Sequence, residues 1–270
     1  MKDFSELQSL VNDEINKIDF PSYPSNLYDP IIYILNLRAK RMRSIALLTS
    51  FQIYNSDLEV ATDAALAIEV FHNFTLIHDD IMDNASLRRG SKTVHEKWDK
   101  NIAILSGDTM LVKSYSLLLN LDSSIQSDVL DVFSKTATKV CEGQQLDMDF
   151  ENIEDLSIDQ YLEMIKLKTS VLLAASFQIG ALIGGASKSD ALLLYDFGLN
   201  LGIAFQLQDD LLDLYGDKTK FGKNIGGDII YNKKTFLYLK SLSIANDKQR
   251  NNLLTYYLNS KLRGYFFVYH

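Results

Sequence analysis

Residues 59–83 read EVATDAALAIEVFHNFTLIHDDIMD, and the apolar side chains of this stretch recur every three or four positions. That is the helical period, and the stretch contains neither proline nor glycine, so it predicts one long helix over 59–83. Its end carries Asp79, Asp80 and Asp83. The same spacing returns 130 positions later as Asp209, Asp210 and Asp213 in FQLQDDLLD, again behind an apolar helical run. In each cluster the first and last aspartates are one turn apart on one helix face. Like charges at that spacing, near the negative end of a helix dipole, destabilise the helix unless a cation sits between them.

Outward from these clusters the chain also reads as helix. All three prolines (Pro21, Pro24, Pro30) lie in one window, and none follows in the remaining 240 residues. Proline costs a helix interior about 3 kcal/mol, so this distribution predicts an almost wholly helical body, with the window joining a first helix at 3–17 to it. Helical patterns run over 31–54, 101–120, 124–148, 158–186, 189–215, 229–244 and 247–262. No alternating pattern flanks an Asn-Gly or Asp-Gly turn, and no hairpin is expected. With no linker-like shift in composition, residues 1–270 are expected to form a single all-α domain of about ten helices.

The 270 residues are 47% hydrophobic and 23% charged, enough for a full core, and the net charge of -8 argues against nucleic acid as a partner. One cysteine, Cys141, excludes an intrachain disulfide and is expected to be a buried thiol in a reducing, cytoplasmic compartment. The N-terminus lacks the apolar core of a signal peptide. The longest apolar stretch, 171–186, is broken by Ser176, Gln178 and Gly180, so no transmembrane segment is expected.

Oxygen-only ligand clusters suit Mg²⁺, which keeps waters and shares its shell with substrate phosphates. Basic residues that could meet those phosphates stand in Arg38-Ala-Lys40-Arg41-Met-Arg43, Arg88-Arg89-Gly90, Lys166-Leu-Lys168-Thr169, Lys223 and Lys233-Lys234. Each alone is also compatible with a solvated basic face. Together with two carboxylate clusters they suggest a site for two diphosphates.

These residues resemble the trans-isoprenyl (polyprenyl) diphosphate synthases, short-chain type. HDDIMDNASLRRG is similar to that family's first aspartate-rich motif with its arginine pair, FQLQDDLLD to the second, and CEGQQLD, KLKTS and GKNIGGDI match in order. The resemblance spans roughly 35–240. It implies an isoprenoid-synthase-like helical bundle around a deep central cavity, with the two clusters facing each other at its mouth. It also implies three Mg²⁺ ions, a homodimer, and head-to-tail transfer of an allylic diphosphate onto isopentenyl diphosphate.

By residue, the resemblance assigns the metals to Asp79, Asp83 and Asp209, with Asp80, Asp210 and Asp213 in or beside the shell. Arg88 would contact the allylic diphosphate, and Arg89, Lys40, Arg43 and His72 the isopentenyl diphosphate. Lys168, Thr169, Gln206, Lys223 and Lys233 would line the allylic site, with Gln144 near the metals. Phe74 would form the cavity floor, Phe71 the next barrier, and the small Thr75 leaves room, which points to a C20 product with C15 second. Two departures stand out. The first basic motif has Arg38-Ala39 where the family has Gly-Gly, and the chain ends, at Arg263 to His270, some tens of residues before the family's usual end. A terpene cyclase and a non-catalytic partner of a complete synthase stay open as alternatives.

Overall fold

The structure, a computed structural model, describes residues 1–151, 153, 155–216, 227–230 and 233–258. It is all-α, as expected. The helices are α1 (Phe4–Ile15), α2 (Ser25–Leu35), α3 (Met42–Phe51), α4 (Glu59–Met82), α5 (Val94–Lys97), α6 (Lys100–Leu118) and α7 (Ser123–Phe150). There follow α8 (Ile158–Ile165), a π-helical turn (Lys166–Ser170), α9 (Val171–Gly184), α10 (Lys188–Tyr215), α11 (Gly227–Ile230), α12 (Phe236–Ile244) and α13 (Asp247–Leu258). They group into two compact units. The first is Met1–Ala137 with Leu172–Gly198; the second is Thr138–Val171 with the described residues from Leu199 onward.

The first unit is built on α4, which packs against α3 and α6. From Ala64 to Phe71 every residue of α4 is buried, and all but Glu69 are apolar. A helix apolar on all sides belongs in a core. The entry helix α1 starts on a reciprocal cap: the Asp3 carboxylate accepts from Glu6 N at 3.0 Å, and the Glu6 carboxylate accepts from Asp3 N at 2.8 Å.

Three expectations are corrected here. The pattern over 31–54 is two helices, α2 and α3, and Pro30 lies inside α2 rather than before it. The break falls where Arg41 takes a left-handed conformation (φ 55°), which no regular helix passes through. Second, a small hairpin exists: β1 (Leu87–Arg88) pairs with β2 (Ser91–Lys92), Arg88 opposite Ser91. Its two-residue loop is Arg89 (φ 54°) and Gly90 (φ 77°), both positive, as a mirror-image turn requires. Arginine in the first loop position is not the usual asparagine, so the turn carries no ordinary sequence signal. Third, Cys141 is exposed, because α7 turns Gly143 and Gln144 inward instead.

Two helical runs, Glu59–Met82 and Ile158–Gly184, are long and apolar enough to cross a membrane by length and composition alone. The second qualifies because the helix continues through the 165–171 junction. In their most apolar windows 67% and 61% of the residues are buried inside the protein. That apolar surface is engaged in packing.

The second unit has a core of Phe150, Leu156, Tyr161, Met164, Ile165 and Leu239, which joins the end of α7 to α8 and α12. Lys234 closes the C-terminus of α7 by donating to the carbonyls of Phe150 (3.1 Å), Glu151 (3.0 Å) and Ile153. Those carbonyls have no helical partners, so a cation there satisfies them and meets the negative end of the dipole.

Candidate active site

In the first unit the first aspartate cluster sits where α4 ends. Asp79 is half-buried, Asp80 buried, and Asp83 exposed as the C-terminal cap. Asp80 Oδ1 accepts from Arg88 Nε at 2.9 Å and from Arg88 Nη2 at 2.5 Å. Its other oxygen, Oδ2, is buried with no hydrogen-bond partner. Burial raises the Asp80 carboxyl above its ordinary range, and the Arg88 bonds pull it partly back.

Behind this cluster lies a concentration of positive charge. His72, about two turns before Asp79 on α4, is held well below its usual 6.5, first by burial and then by Arg43, Arg89, Arg88 and Arg41 in that order. Arg43 Nη1 lies 3.1 Å from His72 Nε2. A guanidinium can only donate, so Nε2 accepts, and His72 is the neutral tautomer with its proton on Nδ1. Burial also lowers Arg43 and Arg89, each opposed by the Glu69 carboxylate. Among the described residues, four guanidinium groups thus face only two buried carboxylates, Glu69 and Asp80. The surplus calls for an anion.

Sequence reasoning missed the anchor of this group. Arg41, read as part of a basic face, is 5% exposed and paired with the buried Glu69 at 2.8 Å. Arg41 also donates from Nη2 to Leu35 O at 2.5 Å and from Nε to Asn12 Oδ1 at 3.1 Å. Glu69 in turn accepts from Ser44 Oγ at 3.1 Å and from Asn73 Nδ2 at 3.1 Å. Lys40, by contrast, is exposed. A lone glutamate inside an apolar helical run, just ahead of His72, was the available signal.

The chain-length candidates form a ladder within the same unit. Phe74 lies against His78 (ring centroids 4.8 Å) and Phe71 (5.5 Å), and Phe71 against Phe133 (5.1 Å). Thr75 is half-buried and donates from Oγ1 to His72 O at 2.8 Å.

In the second unit α10 carries Gln206, Asp209, Asp210 and Asp213. Asp210 is buried: Oδ2 accepts from Tyr161 Oη at 2.5 Å and from Phe236 N at 3.3 Å, and Oδ1 from Gln206 Nε2 at 3.2 Å. Burial raises its carboxyl, and those three donors oppose the rise. Asp209 and Asp213 are half-buried. In both clusters, then, the middle aspartate is tied to a local donor.

Lys168 and Thr169 lie in the π-helical turn, a form frequent at functional sites because it breaks the regular carbonyl ladder. Lys168 Nζ donates to Asp147 Oδ2 at 2.5 Å. A Cβ at Gly143 of α7 would stand 2.2 Å from Lys168 N, so glycine is what lets α7 pass the π turn. Gln144 is buried beside it, and Lys233 is exposed. Lys223 lies outside the described residues.

Among the described residues no three His, Cys, Asp or Glu side chains stand close enough to hold a metal ion alone. The carboxylates fit a hard divalent cation whose remaining ligands are waters and phosphate oxygens. The buried Oδ2 of Asp80 is the one orphan carboxylate oxygen among the described residues, and a cation would satisfy it.

Comparisons with known proteins agree with this geometry. The polyprenyl synthetase family profile matches residues 24–263. The geranylgeranyl diphosphate synthase of Sulfolobus acidocaldarius is 40% identical over 255 residues, 93% of this chain and 77% of that protein. That of Methanosarcina mazei is 42% identical over 220 residues, 81% and 68% of the two chains. A crystal structure of a geranylgeranyl pyrophosphate synthase superposes with a TM-score of 0.93 at 48% identity, covering 97% of this chain and 80% of the other. Neither the cyclase nor the non-catalytic alternative is favoured by these relatives. The chain belongs to the polyprenyl synthetase family and is a short-chain trans-prenyltransferase.

Proposed function

We propose that the chain joins isopentenyl diphosphate head-to-tail to an allylic diphosphate and releases inorganic diphosphate, with a C20 product, geranylgeranyl diphosphate, and C15 second. The observation that carries this reading is the guanidinium surplus around neutral His72. In this reading Arg43, Arg89 and His72, with Lys40 reaching in from the surface, hold the isopentenyl diphosphate. Arg88, Lys168, Thr169, Gln206, Lys223 and Lys233 serve the allylic diphosphate. Asp79, Asp83 and Asp209, with Asp80, Asp210 and Asp213 beside them, hold Mg²⁺, three ions in all, which supply Lewis-acid stabilisation of the departing diphosphate.

The chain's own residues do the rest. Arginines orient the two diphosphates bidentately. Carbonyls freed at the π turn and the oxygen of Gln206 offset the allylic positive charge, and apolar walls keep water from it. The isopentenyl π electrons form the new C–C bond as the allylic C–O bond breaks. The proton then lost goes to the released diphosphate.

Residues 1–270 act as one synthase domain in a reducing, cytoplasmic compartment. A homodimer is supported by Leu105, Val112 and Leu119, exposed along α6 and its C-cap at seven-residue spacing. The test is incubation with labelled isopentenyl diphosphate, Mg²⁺ and allylic primers of five, ten and fifteen carbons. A dephosphorylated C20 alcohol as main product is expected. No extension of any primer contradicts the reading.

A further inference from the structure

Glu69 is as deeply buried as Asp80, 1% exposed, yet no step of the reaction uses it. Its contacts form a connected path. Oε1 takes Arg41 Nη1 at 2.8 Å and Asn73 Nδ2 at 3.1 Å, and Oε2 takes Ser44 Oγ at 3.1 Å. Asn73 Nδ2 also donates to Glu69 O at 2.8 Å. With its amide nitrogen committed twice to Glu69, Asn73 turns its Oδ1 outward, where it accepts from Arg89 Nη1 at 3.4 Å. Asn73 is fully buried, so a flipped amide would set a nitrogen against a guanidinium and an oxygen against a carboxylate.

Arg89 needs such help. It stands at the first loop position of the hairpin with φ 54°, a strained conformation that the turn alone does not favour for arginine. It is also partly desolvated beside Arg41, Arg43 and Arg88, all repelling it. The Glu69 carboxylate is a counter-charge to both Arg43 and Arg89.

We infer that Glu69 and Asn73 are positioning residues for isopentenyl diphosphate: Arg41 locks Glu69, Glu69 orients the Asn73 amide, and Asn73 aims the Arg89 guanidinium at the diphosphate. This rests on the reading of Arg89 as an isopentenyl diphosphate ligand. Two roles thereby separate within one basic run. Arg41 faces inward to the anchor, and Arg43 faces His72.

The test is steady-state kinetics of Glu69→Gln and Asn73→Leu, with Arg89→Ala and the Asn73→Leu/Arg89→Ala double variant. Each single change at 69 or 73 is expected to raise KM for isopentenyl diphosphate on the order of tenfold, with KM for the allylic substrate within about twofold. In the Arg89→Ala background Asn73→Leu should add little, since the group it aims is gone. Equal rises in both KM values, or full additivity in the double variant, would overturn the inference. Should Glu69→Gln leave no folded protein, Asn73→Leu and its double variant decide alone. Should the wild type extend no primer, the functional reading fails separately. Calorimetric binding of isopentenyl diphosphate to the same variants then decides, with loss of affinity expected in Asn73→Leu and unchanged affinity overturning the path.

Discussion

Arg43 donates to His72 Nε2 at 3.1 Å, and this bond exists only while His72 is neutral. The folded histidine titrates well below its unfolded value of about 6.5. Between those two values the unfolded chain binds the extra proton, so stability rises with pH there. The contribution is complete above about pH 6.5 and is lost as pH falls below it.

His72→Gln, whose amide oxygen still accepts from Arg43, should therefore flatten the loss of thermal stability between about pH 6.5 and 5 while retaining isopentenyl diphosphate binding. His72→Phe should flatten it too but weaken that binding, since Arg43 loses its partner. Thermal melts across pH with matched binding titrations check both. An unchanged pH slope in His72→Gln would refute the neutral-histidine assignment.

Arg89 occupies a left-handed turn position that asparagine fills more readily. Arg89→Asn should relieve the turn but leave the buried Asn73 Oδ1 without its donor, so little net gain in stability is expected, while KM for isopentenyl diphosphate rises at least tenfold. A denaturant titration reads the first effect and initial rates the second. Lower stability together with unchanged KM would mean that the arginine serves the turn and not the substrate.

On the proposed metal roles, Asp79→Ala and Asp209→Ala should each slow turnover by about two to three orders of magnitude. Asp79→Ala should not lower the melting temperature, because Asp79 sits in the last turn of α4, where negative charge is unfavourable. Asp210→Ala is the contrast: it strips Tyr161, Gln206 and the Phe236 amide of their shared acceptor, and a fall in melting temperature is expected.

Phe74 is buried against His78 and Phe71. Phe74→Ala should lengthen the product by at least one C5 unit, and adding Phe71→Ala should lengthen it further, up to the Phe133 ring behind it. Thin-layer chromatography of dephosphorylated products reads the outcome. The same chain length in Phe74→Ala would exclude it as the floor.

Much of this was legible in the sequence. The 59–83 period and two carboxylate clusters predicted α4, its end and the all-α class, because an apolar helix that terminates in acids leaves both a packing and a charge signature. What escaped depends on tertiary neighbours. Arg41 and Glu69 are 28 residues apart, and although Glu69 stands alone in an apolar run, nothing local marks Arg41 as its buried partner. The π turn differs from an α-helix by one inserted residue, which leaves the apolar period of 158–184 almost unchanged. The Arg89–Gly90 hairpin violates the usual turn chemistry and is stabilised by pairing and by Asn73 instead. Local rules fail there because an arginine stands where asparagine would suit the turn.

Stoichiometry tests the proposed condensation most directly. Purified protein, given Mg²⁺, an allylic diphosphate and labelled isopentenyl diphosphate, should release one inorganic diphosphate per isopentenyl unit incorporated, and none when isopentenyl diphosphate is omitted. Diphosphate release without incorporation, or no release with both substrates present, would contradict it.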